Sequence, residues 1–114
     1  MTSLESTPLF GVAIERRGET LLATPSGELD VATVPRLTAA LREHDGFARL
    51  VIDLRSLSFM DSSGLRLLVG EHDRAQRHGY VLALVPGGPE VSRLLRVTRL
   101  DERLPFGEAG ALGL

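Results

Sequence analysis

The residues best able to do chemistry crowd into one short stretch of this chain, Asp61-Ser62-Ser63-Gly64. It stands between a strand-like apolar run, Arg49 to Leu54, and a helix-like run, Leu65 to Arg77. A serine hydroxyl at such a junction has two readings. It can cap the helix, accepting hydrogen bonds from the orphan amides of the first turn. It can also carry a phosphate, because the added charge of about −1.5 to −2 is tolerated at a helix N-terminus. Asp61 can cap the same turn, and Gly64 permits close packing against it.

Rival chemistry is sparse. If residues 62 to 78 form one helix, Ser62 and His72 stand about 15 Å apart along its axis, too far for a serine and its general base. His44, His72 and His78 show no ligand spacing, so they are expected at surface or boundary positions and no metal is expected. Pro86-Gly87-Gly88-Pro89 is not followed by the Gly-Lys-Ser/Thr of a phosphate cradle, and it reads as a turn into a helix. The absence of cysteine excludes disulfides and thiolate chemistry. No cofactor is expected, and the chain does not read as an enzyme.

A length of 114 residues suits one domain with a real hydrophobic core. Hydrophobic residues at 43% and charged residues at 25% match ordinary soluble usage. No apolar run approaches the roughly 20 residues of a membrane span, and Met1 to Thr7 lacks the basic and apolar regions of a secretory signal. A cytoplasmic setting without a membrane partner is therefore expected. A net charge of −2 supplies no basic face for a phosphate backbone, and four Phe with one Tyr make few stacking platforms. Arg93, Arg96, Arg99 and Arg103 read as a solvated series, so no direct nucleic-acid contact is expected.

Around the Asp61 turn, the elements follow from periodicity. Residues 9 to 15 and 20 to 24 flank Arg16-Arg17-Gly18-Glu19 and read as a hairpin. Thr33-Val34-Pro35 opens a helix over about 33 to 45, with Val34, Leu37, Ala40, Leu41 and His44 on one face and Gly46 as its stop. Leu50 to Leu54, almost continuously apolar, reads as a central strand. The next helix, 62 to 78, places Leu65, Leu68, Val69, His72 and Ala75 in one stripe and ends at Gly79. Residues 80 to 85 read as a buried strand and 89 to 97 as a third helix with Val91, Leu94 and Leu95 inward; a last short strand is expected near 103 to 106. The order predicts an α/β domain with a mixed four- to five-stranded sheet and helices packed against it. Residues 1–8 form an N-terminal segment, 9–106 the domain and 107–114 a frayed Gly- and Ala-rich tail. Open α/β sheets place ligands and partners at the carboxyl ends of their strands, where the Ser62-Ser63 turn falls.

Three stretches resemble the STAS domain of bacterial anti-sigma factor antagonists: Gly27-Glu28-Leu29-Asp30, Asp53-Leu54 through Phe59-Met60-Asp61-Ser62-Ser63-Gly64-Leu65, and Val91 to Asp101. The likeness spans about residues 9 to 106, and its central motif is the specific part. The resemblance implies a STAS-like fold and a partner switch. The unphosphorylated antagonist binds a GHKL-type anti-sigma factor that is also a serine kinase and releases a sigma factor. Phosphorylation ends that binding, and a PP2C-type phosphatase restores it. The phosphoacceptor implied is Ser62, the serine directly after the motif aspartate, with Asp30, Asp61, Ser63 and Gly64 as its neighbours. The partner surface would comprise Asp30, Met60, Asp61, Ser62 and Ser63, together with Arg66, Gly70 and Asp73, which recur at helical spacing on an outward strip. For Asp30, helix capping and a place beside the phosphosite stand as equal readings. A stand-alone STAS subunit of a lipid or anion transport assembly, without a phosphate cycle, is the alternative implied by the same likeness.

Overall fold

The computed structural model describes residues 10–114. Strands β1 (Gly11–Arg17) and β2 (Thr20–Leu29) are followed by α1 (Val34–Arg42), β3 (Arg49–Asp53), β4 (Leu57–Met60), α2 (Ser62–His78), β5 (Val81–Val85) and α3 (Pro89–Val97). Two single-turn 3-10 helices, Leu100–Glu102 and Gly110–Leu112, complete the order. The sheet is mixed and five-stranded. β1 and β2 are antiparallel, and the path continues β2-β3-β5 through parallel pairs, while β4 adds to β2 alone. The helical connections β2-α1-β3 and α2-β5 require those parallel neighbours, because a parallel return needs a crossover.

β2 is the organising strand. Thr20 to Ala23 pair with Arg49 to Ile52 of β3, whereas Gly27 to Leu29 pair with Leu57 to Met60 of β4. The β2–β4 register shifts between Gly27 and Glu28. Gly27 takes φ 88° there, a left-handed backbone that L-residues disfavour, and its N–H donates to the Ser56 carbonyl at 3.3 Å. The Gly27-Glu28-Leu29 stretch is therefore the end of a ten-residue strand, longer than the expected one. β1 likewise runs on to Arg17, which leaves only Gly18-Glu19 as the hairpin turn. Residue 9 of the expected first strand lies outside the described residues.

Alternation along the strands sends side chains to opposite faces. Leu21, Ala23, Leu50, Ile52, Leu82 and Leu84 meet Leu37 and Leu41 of α1, Leu65, Leu68 and Ala75 of α2, and Val91 and Leu95 of α3 in the main core. On the opposite face Leu22, Val51, Ala83 and Val85 form a second cluster, covered by Ala109, Leu112 and Leu114. The expected frayed tail is thus a strap across the sheet, secured further by Arg17 Nη1 donating to the Gly113 carbonyl at 3.4 Å. The expected last strand reduces to one bridge, Leu84 with Phe106, which occupies the outer edge of β5.

Other boundaries move for local reasons. α1 stops at Arg42 with Glu43 as C-cap, before the expected 45, and Gly46 sits beyond it in the loop, where Arg16 Nη1 and Nη2 bind the Asp45 and Gly46 carbonyls at 2.8 and 2.9 Å. The buried face of α2 is rotated from the expected stripe: Leu67 and Glu71 point inward, and Val69 is 43% exposed. Glu71 can be buried because Arg42 of α1 grips it with both terminal guanidinium nitrogens, Nη1 to Oε1 at 3.2 Å and Nη2 to Oε2. This pair ties α1 to α2 and helps set the orientation of the helix that begins at Ser62.

Candidate functional site

The Asp61 turn follows β4, not the central strand β3 as expected, and one long-range and one local contact hold it. The Asp61 N–H donates to the Leu29 carbonyl at 3.2 Å, which continues the β2–β4 ladder by one residue. The preceding loop is pinned at its start by Asp53, buried at the end of β3. Its carboxylate receives the Arg55 backbone N–H at 3.0 Å and the Arg55 guanidinium at 2.8 to 3.2 Å. Burial alone would raise the Asp53 pKa, but these side-chain and backbone hydrogen bonds from Arg55, with its charge, bring it below the ordinary carboxylate value.

A depressed carboxylate stabilises the fold fully above its unfolded pKa, and the contribution disappears as pH falls through the lower folded value. Urea unfolding of the parent and Asp53→Asn is therefore expected to show a stability gap at about pH 7 that narrows as pH falls below the ordinary carboxylate value and through the lowered folded one, where the parent's own Asp53 becomes neutral. A gap that stays constant over that range would show that the Asp53 charge is not what stabilises the loop.

Asp61, in extended conformation, is the N-cap of α2: its Oδ1 accepts from Ser63 N at 2.8 Å and Gly64 N at 3.4 Å, and its carbonyl accepts from Leu65 N at 3.2 Å. The capping role that either serine could have filled thus belongs to the aspartate. Ser62 becomes the first helical residue. It is exposed, and its hydroxyl makes no hydrogen bond among the described residues. Ser63 is half-buried, and its Oγ lies 3.5 Å from Arg66 Nη2. The two hydroxyls are therefore unequal, one free and one engaged.

Gly64 is buried where α2 crosses the β2–β4 pair. A Cβ there would stand 2.3 Å from Met60 Cγ, 2.9 Å from Met60 Sδ and 3.2 Å from Leu29 Cδ2. Met60 is only 4% exposed, so it supports the turn from beneath and offers a partner little surface. Ahead of α1, whose N-cap Thr33 makes no side-chain cap bond, Asp30 forms an Asx turn. Its Oδ1 accepts from Ala32 N at 3.0 Å and Thr33 N at 3.1 Å, while Thr33 Oγ1 donates to the Glu28 carbonyl at 2.7 Å. Because the Leu29 carbonyl binds Asp61 N, the two acidic residues leave adjacent strand ends together.

Arg66, Gly70 and Asp73 are all exposed along α2, in line with Ser62. Asp73 pairs with Arg77 at 3.5 Å in an exposed i,i+4 contact, the kind that adds a few tenths of a kcal/mol. A Cβ at Gly70 would meet nothing within 4 Å. Packing within the chain thus does not require glycine there, although glycine in a helix interior costs about 1 kcal/mol relative to alanine.

Beside the turn, Phe59, Met60, Leu94 and Val97 line an apolar groove of about 300 Å³ between β4 and α3, with Glu90 and Arg93 at its rim. Phe59 is 43% and Val97 72% exposed. Sequence reading missed this groove because β4 itself was not recognised. At the far end of the molecule His44 and His78 line a polar cleft with Arg42, Arg74 and Tyr80; His72 is half-buried on α2. Among the described residues no three acidic or histidine side chains cluster as a metal site. No helix among them is long and apolar enough to cross a membrane.

A mixed five-stranded sheet with three helices on one face, and an Asp-capped helix presenting a free serine, define a small α/β domain of the STAS type. The STAS domain family model matches residues 11–109, and the chain belongs to that family. It is 33% identical over 84 residues to the anti-sigma-B factor antagonist of Staphylococcus aureus, covering 72% of this chain and 78% of the relative. To the anti-sigma F factor antagonist of Paenibacillus polymyxa it is 30% identical over 98 residues, covering 83% and 84%. The crystal structure of an anti-sigma factor antagonist from Mycobacterium paratuberculosis superposes with a TM-score of 0.76 at 28% identity, covering 86% of this chain and 85% of that one. Such antagonists are regulatory binding proteins, not enzymes.

Proposed function

We propose that this chain is an anti-sigma factor antagonist whose binding is switched at Ser62. In its unphosphorylated form it binds a GHKL-type anti-sigma factor in the cytoplasm and so releases a sigma factor. That anti-sigma factor, acting as a serine kinase, phosphorylates Ser62 and ends the complex; a PP2C-type phosphatase restores it. The surface engaged comprises Asp30, Asp61, Ser62, Ser63, Arg66, Gly70 and Asp73, with Met60 beneath.

The observation that carries this reading is the free, exposed Ser62 hydroxyl on a helix already capped by Asp61. Phosphorylation there breaks no hydrogen bond described for Ser62, and the helix N-terminus offsets part of the added charge, by about 0.3–1 kcal/mol at an exposed site. Ser63 is less suited, since its Oγ is within reach of Arg66 and its N–H is held by Asp61. Gly70, left without an internal packing role, would let a partner backbone approach the strip closely.

The test incubates the purified protein and its Ser62→Ala variant with the GHKL-type kinase of the same organism and ATP, and maps phosphate by mass spectrometry. Phosphate at residue 62 in the parent and none in the variant is expected. Phosphate on Ser63 alone, or none with any such kinase, would sink the Ser62 mechanism.

A further inference from the structure

We propose that Arg66 closes over the phosphate of phosphorylated Ser62 as an intramolecular clamp, so that modification withdraws from the partner surface the cation beside the switch. This rests on the reading that Ser62 is the modified residue. Ser62 and Arg66 are one turn apart on a regular helix, the i,i+4 spacing that puts side chains on one face about 5–6 Å apart at Cβ. Long helical side chains lean toward the N-terminus, and Arg66 does so: its Nη2 reaches back to 3.5 Å from Ser63 Oγ, over the first turn.

Nothing else among the described residues claims this guanidinium. Arg66 makes no ion pair there; the four pairs found involve Arg17, Arg42, Arg55 and Arg77. The neighbouring carboxylates are also occupied: Asp61 by the amides of Ser63 and Gly64, Asp30 by those of Ala32 and Thr33. A phosphate on Ser62 therefore meets two carboxylates already bonded to backbone amides and one unpaired guanidinium, whose planar fork suits phosphate oxygens. The contact with Ser63 is the weak resting position of that fork. After modification the Ser62–Arg66 pair carries a net charge of about −0.5 to −1 where Arg66 alone formerly offered +1.

The clamp is tested without the kinase, on full-length protein carrying phosphoserine at position 62 by genetic encoding. The ³¹P resonance is titrated with pH in the parent, Arg66→Gln and Arg66→Lys. Removing the cation is expected to raise the second phosphate pKa by about 0.5–1 unit, with Arg66→Lys between the two. Identical titrations in parent and Arg66→Gln would overturn the clamp. Binding of the same phosphorylated protein to the anti-sigma factor separates the two ideas. Undiminished affinity would remove the Ser62 switch even if the titration shows the clamp, whereas lost affinity with identical titrations would leave the switch standing without it.

Discussion

Ser62→Asp is expected to weaken the complex with the anti-sigma factor at least about tenfold while leaving the circular dichroism spectrum nearly unchanged. Residue 62 is the first helical position of α2, where a carboxylate interacts favourably with the helix dipole. The isolated domain therefore tolerates the substitution. Within a complex the same charge would be desolvated beside Asp61, with Arg66 as its single cationic neighbour on the strip. Burying an incompletely paired charge costs several kcal/mol, and each ~1.4 kcal/mol is tenfold in affinity. Aspartate carries half or more of the phosphate's charge, so tenfold is the lower bound of the effect. Titration calorimetry with the unmodified anti-sigma factor reads the result. Equal affinities would mean that negative charge at this turn is not the signal.

Gly64→Ala should destabilise the domain by about 1–3 kcal/mol, although alanine in a helix interior is by itself favoured over glycine by about 1 kcal/mol. The sign is decided by space: the new methyl would stand 2.3 Å from Met60 Cγ, in a contact backed by Leu29. Since Met60 is buried, it has little room to withdraw, and α2 must lift away from the β2–β4 pair. Pairing Gly64→Ala with Met60→Ala should recover part of the loss, a coupling of about 0.5–3 kcal/mol typical of residues in contact. Urea unfolding of the two single variants and the double variant measures it. A Gly64→Ala protein as stable as its parent would show that the close approach is not a constraint.

Much of this arrangement is legible along the chain because strong signals coincide. Leu50 to Leu54 and Val81 to Val85 are short apolar runs bounded by polar residues, and α2 begins and ends where Asp61 and Gly79 punctuate it. What escaped detection depends on contacts distant in sequence. β4 has only four residues, and its buried members, Leu57 and Met60, are three apart, so the two-residue period of a strand is absent. Glu71 reads as an outward residue by type, yet it is buried because Arg42 reaches it from another helix. Asp61, Ser62 and Ser63 are all good N-caps in isolation; the Leu29 carbonyl, binding Asp61 N, places the helix start so that aspartate takes the role. The Gly and Ala content of residues 107–114 predicts a frayed tail, whereas Leu112 and Leu114 find the sheet face left uncovered by the helices.

The pairing of β2 with β4 also bears on the proposed modification, because it determines what a kinase would find at Ser62. A peptide cut from residues 55–78 would contain the whole Asp61-Ser62-Ser63-Gly64 turn but not Leu29, whose carbonyl anchors Asp61 and whose side chain packs toward Gly64. Its first helical turn would lose both supports, and a short helix excised from its packing is marginal in water. If Ser62 is modified as proposed, its turn is a conformational epitope assembled from two strands distant in sequence, readable on the folded domain and erased when β2 and β4 separate.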